Sequence, residues 1–237
     1  MDKVALVTGA DRGLGLAMVK NLLNQGWIVL AGKHLEWPEL NQLKEEYPSN
    51  LHVIVLDVGS DQSVANSAKL VGTLVSHIDL LIANAAINRS HHVSSIRQDP
   101  SFDNMASEFN VNALGALRIV NAFLSLVEAG PLKRLCFVSS EAGSIGSSNR
   151  KGWFGYCMSK AALNMAVKNL HNDLTSQGFT FRLYHPGWLR TYMSGVRNEE
   201  AMMEPEEGAA IALEYFLSDS EDVKLSLHDW EGNDMPW

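Results

Sequence analysis

Cysteine is scarce in this sequence, and its positions do not suit a metal ion. Only Cys136 and Cys157 occur among 237 residues, and their spacing is not that of metal ligands. We expect two buried, reduced thiols that behave as small apolar side chains, with no disulfide framework. His91 and His92 are neighbours without further candidate ligands, which indicates a surface loop and no metal site.

Basic residues are also few in this sequence. The chain has 19 Lys and Arg residues against 27 Asp and Glu residues, which gives a formal net charge of −8. This balance argues against nucleic-acid or anionic-membrane binding, but it allows a small anionic ligand held by local basic groups. The N-terminal residues lack a signal-peptide layout, and no uninterrupted apolar run approaches the roughly 18 residues of a membrane span. We therefore expect a cytoplasmic protein with no nucleic-acid or membrane partner.

Apolar, β-branched runs alternate with helical patterns along nearly the whole chain. Seven runs predict buried strands, at 3–8, 27–32, 51–57, 78–84, 133–140, 179–186 and 223–229, and helical patterns cover about 14–25, 36–47, 61–77, 103–128 and 155–170. Strands without polar alternation, each followed by a helix, indicate a parallel sheet covered on both faces. The prediction is a doubly wound α/β (Rossmann) fold with about seven strands, in one domain spanning 1–237. Ligands should sit at the carboxyl ends of the strands.

The first predicted strand leads into a glycine-rich turn. Gly9, Gly13 and Gly15 have the spacing Gly-x-x-x-Gly-x-Gly, which differs from the general dinucleotide fingerprint Gly-x-Gly-x-x-Gly. Glycines there allow a tight turn and let a pyrophosphate approach the next helix, whose free N–H groups favour an anion. The alternative is a plain glycine-rich turn.

A second motif begins the helix after the fifth predicted strand. Tyr156 and Lys160 are four residues apart, so they share one face of that helix. A chance Tyr-x-x-x-Lys is expected roughly 0.2 times in a chain with this many tyrosines and lysines. The pair alone is therefore a weak sign of chemistry, and its place after the glycine turn gives it weight.

Together these motifs resemble those of the short-chain dehydrogenase/reductase family, and the match extends over essentially the entire chain. Further similar motifs are Asp57-Val58, which resembles the adenine-contacting pair, Asn84-Ala85-Ala86 after the fourth strand, Asn112, Ser139-Ser140, and Pro186-Gly187 with Thr191. Ala83 and Ala86 depart from the family's Asn-Asn-Ala-Gly, which puts cofactor affinity in question. The ending DWEGNDMPW is similar to that of the sniffer/C-factor branch of carbonyl reductases.

The resemblance implies a catalytic set of Asn112, Ser140, Tyr156 and Lys160. A lysine ammonium one turn away favours the phenolate, so we expect Lys160 to lower the pKa of Tyr156, the group that exchanges a proton with the substrate oxygen. Ser140 would donate a hydrogen bond to that oxygen. Asn112 would anchor a water between Lys160 and solvent. The alternatives are an ordinary strand-end serine and an asparagine that satisfies backbone groups at a helix bend.

The predicted cofactor is NADP(H), favoured over NAD(H). NAD-binding folds of this type place an acidic residue at the end of the second strand, where this sequence has Lys33 followed by His34. Lys33 and Arg12 would attract a 2′-phosphate, and solvated surface charges are the alternative. The resemblance implies a cofactor site made of Gly9, Asp11, Arg12, Gly13, Leu14, Gly15, Lys33, His34, Asp57, Val58, Asn84, Ala85, Ala86, Tyr156, Lys160, Pro186, Gly187, Trp188, Leu189 and Thr191.

A hydrophobic carbonyl compound is the predicted substrate. The loop after the fifth strand and the segment after Pro186 supply an aromatic and apolar set, from which Ile145, Trp153, Phe154 and Tyr192 are expected to line the substrate site. The resemblance also implies a homodimer or homotetramer, formed through the helices that follow strands four and five.

Three functions stay open at this point. The leading one is NADP(H)-dependent reduction of a ketone, aldehyde or quinone. The second is reduction of a 3-oxoacyl thioester in lipid synthesis, for which Arg150 and Lys151 are the obvious basic residues to meet an acyl carrier. The third is a nicotinamide-binding signalling protein with little turnover, and the complete catalytic set weighs against it.

Overall fold

Eight strands form one sheet in the computed structural model, which describes residues 2–89, 91–219 and 224–237. Their order across the sheet is β3-β2-β1-β4-β5-β6-β7-β8. The strands are β1 (Val4–Thr8), β2 (Ile28–Lys33), β3 (Leu51–Val55), β4 (Leu80–Ala83), β5 (Arg134–Val138), β6 (Thr180–His185), β7 (Leu227–Asp229) and β8 (Asp234–Met235). The first seven strands run parallel, and β8 pairs antiparallel with β7.

The predicted α/β sheet is confirmed, and all of the predicted strands except β2 are shorter than the apolar runs suggested. Strand β3 stops at Val55, two residues early, and Asp57 turns the chain by accepting a hydrogen bond from the Gly59 N–H at 2.9 Å. Strand β7 begins at Leu227 rather than at 223, a position outside the described residues. The short strand β8 was not predicted, because two residues carry no periodic pattern.

Seven α-helices lie between or after these strands in the described part of the chain. They are α1 (Gly13–Asn24), α2 (Pro38–Glu46), α3 (Asp61–Leu74), α4 (Phe102–Phe109), α5 (Gly115–Glu128), α6 (Phe154–Leu174) and α7 (Pro205–Leu217). The sequence did not lead us to α7. Its small residues, such as Gly208 and Ala212, are buried, which lets α7 pack closely against α1.

The helices cover both faces of the sheet, as the apolar strands require. In β1, Ala5 and Val7 face the core shared with α1, α2 and α7, whereas Val4 and Leu6 face the core shared with α3, α5 and α6. Both sets are at most 2% exposed. Burial on the two faces explains why β1 reads as an unbroken apolar run.

A π-helical turn at Asn110–Leu114 joins α4 to α5 and makes one helical stretch, Phe102–Glu128. Among the described residues this stretch alone is long and apolar enough, by length and composition, to cross a membrane. Here Ile119 and Phe123 are fully buried in the protein core. A helix that is buried in a protein core can meet the same criteria of length and apolar composition as a membrane span.

The strand order reverses between β1 and β4, which lie side by side although two strands separate them in sequence. At such a switch point the loops after the two strands diverge and leave a crevice at the carboxyl edge of the sheet. The glycine turn follows β1, and the Asn84 motif follows β4. Both motifs therefore meet at the crevice.

Candidate active site

The glycine turn has the backbone geometry that its residues predict. Gly13 has φ of +56°, a conformation that L side chains rarely adopt. A Cβ on Gly15 would collide with the carbonyl oxygen of Gly9 and lie 2.7 Å from the Asn84 amide nitrogen. Helix α1 begins after Arg12, whose side chain makes no cap hydrogen bond. The free N–H groups at the start of α1 and the lack of side chains on the glycines of the turn suit a pyrophosphate.

Asn84 fastens this turn to the end of β4. Its side-chain amide donates to the carbonyl oxygens of Thr8, at 2.9 Å, and Gly9, at 3.1 Å. The Thr8 hydroxyl accepts hydrogen bonds in return from the backbone N–H groups of Asn84 and Ala85, each at 3.0 Å. The crevice floor is therefore held rigid by polar contacts between two strand ends. Ala86 follows on the same loop, partly exposed.

Asp11 ties the glycine turn to the end of β2. Its carboxylate accepts a hydrogen bond from the backbone N–H of His34 at 3.2 Å, and its side chain is buried. Leu14, the second residue of α1, is buried in the core beneath the turn. At the end of β3, Val58 packs against the close-approaching Gly115 of α5.

The two basic residues predicted to bind a 2′-phosphate differ in their surroundings. Lys33 donates to the Glu36 carboxylate at 2.6 Å, so its charge is already paired. Arg12 instead stacks on Trp37, with its guanidinium carbon 5.1 Å from the ring centroid. Arg12, Trp37 and Lys20 line a cavity of about 160 Å³ beside the glycine turn. Trp37 was not predicted as a site residue, because a lone tryptophan before a helix is not part of a recognisable motif.

Asn112 lies in the π-helical turn, where its amide joins three elements. Its oxygen accepts from the Ile87 N–H at 2.8 Å, and its nitrogen donates to the Ile87 carbonyl and to the Ser159 hydroxyl, both at 2.9 Å. This is the backbone-satisfying alternative considered from the sequence. The relay role stays a prediction. A cavity of about 10 Å³, lined in part by Asn112 and Val138, has room for roughly one water.

Ser140 and Tyr156 meet at the carboxyl end of β5. Tyr156 is buried on the first turn of α6, where desolvation raises the pKa of its phenol to about 12 and a hydrogen bond with the Ser140 side chain opposes that rise. Ser140 also accepts from the Ala142 N–H at 3.1 Å. Its neighbour Ser139 instead donates to Asn164, at 2.6 Å, in the interior. Of the two serines, Ser140 is thus the one beside Tyr156.

The pKa of Tyr156 lies above its ordinary value, whereas the sequence led us to expect that Lys160 would hold it below that value. The Lys160 ammonium lies 5.8 Å from the Tyr156 ring centroid and donates to the Val138 carbonyl oxygen at 2.9 Å. Burial lowers the pKa of Lys160 itself to about 8. The reason for the discrepancy is desolvation, which disfavours both charged forms and which residue spacing does not reveal.

The segment after β6 folds over the glycine turn. Thr191 comes so near Gly13 that a Cβ there would lie 3.2 Å from its methyl group. Gly187 has φ of +77°, and a Cβ there would lie 2.8 Å from the Trp230 ring. Leu189 is buried and forms an isolated β-bridge with Met203. Trp188 is half exposed. The segment that begins at Pro186 thus reaches the predicted pyrophosphate position.

The four predicted substrate residues are not all brought together. Trp153 contacts Tyr156 edge to face, with ring centroids 6.2 Å apart, and Phe154 begins α6 beside it. Ile145 lies in the loop after β5 and is 78% exposed. Tyr192 instead packs against Trp37, with centroids 5.2 Å apart, near the glycine turn. Its place is therefore at the cofactor end, because the segment after β6 turns towards α1.

Three charged or titratable side chains that interact electrostatically with Tyr156 or with Lys160 were not identified as site residues from the sequence. Glu141 directly follows Ser140 and forms an ion pair with Arg150, and both charges act on the Tyr156 pKa. His185 ends β6 with its Nδ1 buried and without a described partner, and burial lowers its pKa. Within the described residues, no group of three His, Cys, Asp or Glu side chains could hold a metal.

These features define a class of protein. A glycine turn at the switch point of a parallel sheet, with a buried tyrosine, serine and lysine beyond the neighbouring strand, is the architecture of a dinucleotide-binding oxidoreductase. The family description "short chain dehydrogenase" matches residues 3–202. The chain belongs to this family.

Individual relatives agree with this assignment. An uncharacterised oxidoreductase of Schizosaccharomyces pombe is 35% identical over 193 residues, which cover 80% of this chain and 75% of the relative. The protein named C-signal of Myxococcus xanthus is 34% identical over 160 residues, covering 68% of this chain and 93% of that protein. Carbonyl reductase from chicken fatty liver, solved with NADPH bound, superposes with a TM-score of 0.88 at 28% identity and covers 100% of this chain and 99% of that one.

Proposed function

We propose that this protein reduces a carbonyl compound to an alcohol with NADPH, and that Tyr156 donates the proton. The observation that carries the proposal is the buried Tyr156 phenol, whose pKa the Ser140 side chain lowers and whose ring centroid lies 5.8 Å from the Lys160 ammonium. A pKa of about 12 keeps this phenol protonated at neutral pH. A protonated phenol is what a proton donor in carbonyl reduction must be, whereas oxidation of an alcohol would need the phenolate.

The residues of the chain divide the remaining tasks. Ser140 holds the carbonyl oxygen of the substrate and stabilises the negative charge that develops there. Tyr156 protonates that oxygen, and Lys160, which can change charge near pH 8, would pass a replacement proton to Tyr156 from solvent by way of a water that Asn112 anchors. When bound, NADPH supplies the hydride. The glycine turn, Asn84 and Thr191 hold and orient the dinucleotide.

NADPH is the proposed cofactor, and Arg12 is the residue that selects it. Arg12 borders a cavity beside the glycine turn and has no carboxylate partner among the described ion pairs, whereas Lys33 is paired with Glu36. A guanidinium held flat on an aromatic ring presents its donors to a phosphate with little loss of side-chain entropy. The NADPH in the chicken carbonyl reductase structure supports the same assignment.

The proposed substrate is a small apolar carbonyl compound, and the proposed assembly is a homodimer or homotetramer. The exposed Ile145 in the loop after β5 offers an apolar side chain to such a substrate. Four large apolar side chains are exposed on α4 and α6, which pack against each other, namely Phe102, Phe109, Met158 and Met165. A second copy of the chain would cover them.

A signalling role is the second candidate, and the relative named C-signal is what favours it. The third, 3-oxoacyl thioester reduction, loses support because Arg150 is already paired with Glu141. Only Lys151 then remains of the two basic residues considered for contact with an acyl carrier.

The test is NADPH oxidation by the wild type over a panel of quinones, aldehydes, diketones and acetoacetyl thioesters. Tyr156→Phe should lower kcat at least about 100-fold, the range typical of a lost general acid, while the Kd for NADPH stays within threefold. Tyr47→Phe, which removes an exposed hydroxyl bonded to Asn24, is the matched control and should retain full activity. Full activity of Tyr156→Phe would contradict the mechanism. A wild type that binds NADPH but turns over no member of the panel would favour the signalling role.

A further inference from the structure

Trp153 stands at an unusual place in the chain. It is the residue before α6 and has φ of +58° and ψ of +33°, the left-handed conformation that a bulky aromatic residue rarely adopts. Such a conformation persists only where the surrounding structure enforces it, and it is found preferentially at functional sites. The contacts of Trp153 show what enforces it.

Backbone and indole of Trp153 are both fixed to the loop after β4. The Trp153 N–H donates to the Val93 carbonyl at 3.0 Å, and its indole Nε1 donates to the His91 carbonyl at 2.7 Å. A Cβ on Gly152 would collide with the Val93 carbonyl oxygen. The loop before α6, which carries Gly152, and the loop after β4, which carries Val93, therefore approach each other as closely as their backbones allow. The indole has no freedom to turn away without breaking these hydrogen bonds.

Arg150 covers the outer face of the same indole. Its guanidinium carbon lies 4.4 Å from the Trp153 ring centroid, and the guanidinium also forms an ion pair with Glu141. Glu141 follows Ser140 directly in the chain. A continuous series of contacts thus runs from the Ser140–Glu141 turn through Arg150 and Trp153, and it ends at the ring of Tyr156.

The contact with Tyr156 is edge to face, with centroids 6.2 Å apart and the ring planes at 83°. Lys160 contributes the other described contact with this ring, 5.8 Å from its centroid. A tyrosine side chain has two rotatable bonds before its ring, so a wall on the ring selects where the hydroxyl points. Trp153 is that wall, and the Ser140 side chain lowers the pKa of the hydroxyl.

We propose that Trp153, clamped by Arg150, is a positioning residue that holds the Tyr156 hydroxyl against Ser140 in the orientation needed for proton transfer. This inference rests on the proposed function and gives Trp153 a different task from the one expected from the sequence, where it lined the substrate site. A positioning role predicts a loss in kcat. A lining role predicts a rise in the KM for the carbonyl substrate with kcat retained.

The decisive comparison uses Trp153→Leu, Trp153→Phe and Arg150→Met, with Arg97→Met as the matched control for loss of an exposed arginine. Trp153→Leu should lower kcat at least tenfold and change the KM for the carbonyl substrate less than threefold. Trp153→Phe keeps an aromatic edge and should restore most of the lost kcat. Arg150→Met should fall between wild type and Trp153→Leu. The double variant of Arg150→Met and Trp153→Leu should lose little more kcat than Trp153→Leu alone, because Arg150 acts through Trp153.

Crystal structures of wild type and Trp153→Leu test the orientation without relying on turnover. The Tyr156 hydroxyl should leave Ser140 in the variant. An unchanged Tyr156 rotamer, or a raised KM with unchanged kcat, would overturn the proposal. If the wild type reduces no carbonyl compound, the proposed function fails, and the Tyr156 rotamer still decides whether Trp153 positions the ring.

Discussion

The guanidinium of Arg12 lies 5.1 Å from the centroid of the Trp37 ring, on the rim of the cavity beside the glycine turn. Stacking orients the guanidinium and leaves its N–H donors free along their edges. Lys33, the other basic residue at this end of the site, forms an ion pair with Glu36. The two residues should therefore contribute unequally to NADPH binding.

Arg12→Ala should raise the KM for NADPH by about 10- to 100-fold, because a hydrogen bond to a charged group contributes roughly 1.5–3 kcal/mol. Lys33→Ala should raise it about threefold, in the range of an exposed ion pair. The KM for NADH, which lacks the 2′-phosphate, is the control and should change little in either variant. Steady-state kinetics with both cofactors measures these effects. An equal or larger loss in Lys33→Ala would show that the Glu36 pair opens in solution.

Glu36→Gln should improve NADPH binding. The substitution removes the carboxylate that engages Lys33 and that would repel a 2′-phosphate. We expect the KM for NADPH to fall about threefold, which corresponds to the weak energy of an exposed pair. Titration calorimetry with NADP⁺ and NAD⁺ checks the result. A weaker NADP⁺ affinity in this variant would mean that Glu36 holds Lys33 in its binding position.

Two glycine-to-alanine changes should act in opposite directions. In Gly15→Ala the new methyl group would meet the Gly9 carbonyl and the Asn84 amide, so we expect a loss of about 1–3 kcal/mol in the free energy of unfolding and at least tenfold weaker NADPH binding. In Gly72→Ala nothing lies within 4 Å of the new methyl group. This exposed position in α3 should gain about 0.5–1 kcal/mol. Urea unfolding and NADPH titration of both variants make the comparison.

Lys160→Met should stabilise the protein at pH 7 and lose that advantage as the pH rises. The pKa of Lys160 is about 8 in the folded protein against 10.5 for an ordinary lysine. Between these values the unfolded chain binds the proton and the folded chain does not, so the wild-type free energy of unfolding rises with pH. The full difference is about 3.5 kcal/mol at most, since the two pKa values differ by about 2.5 units and one unit is about 1.4 kcal/mol. The variant leaves the Val138 carbonyl unpaired, which reduces its gain by roughly 1 kcal/mol.

Urea unfolding of the wild type and Lys160→Met at pH 7 and pH 10 measures this effect. The stability gap should narrow at the higher pH. A gap that is constant across this range would show that Lys160 is not desolvated as the structure indicates. Activity should be lost in the variant at every pH, because the proton held by Lys160 is part of the proposed mechanism.

The order of strands and helices could be predicted because each parallel strand is buried on two faces and reads as an apolar run. The glycine turn could be predicted because tight turns and close backbone contacts admit only glycine. Helix α7 was missed, since its buried small residues give no strong amphipathic stripe. Strand β8 was missed because a two-residue strand depends on its partner β7 for its existence.

The candidate site was predicted as a set of residues and only partly as an arrangement. Ser140 and Tyr156 both follow β5, and the rule that ligands sit at the carboxyl ends of the strands was enough to place them in one site. The pKa of Tyr156 went against expectation, and the lowered pKa of Lys160 was not foreseen. Residue spacing specifies which charges are near each other, but the desolvation that dominates both values depends on how the surrounding chain closes over them.

The sequence by itself determined the doubly wound sheet, the glycine turn and the residues at the strand ends, because these follow from local periodicity and from backbone sterics. Only the tertiary structure decided that Lys33 is paired, that Tyr192 lies beside Trp37, and that Trp153 is clamped against Tyr156. Contacts of this kind join loops that follow different strands. They are fixed by how the loops pack in space, and no spacing along the chain encodes them.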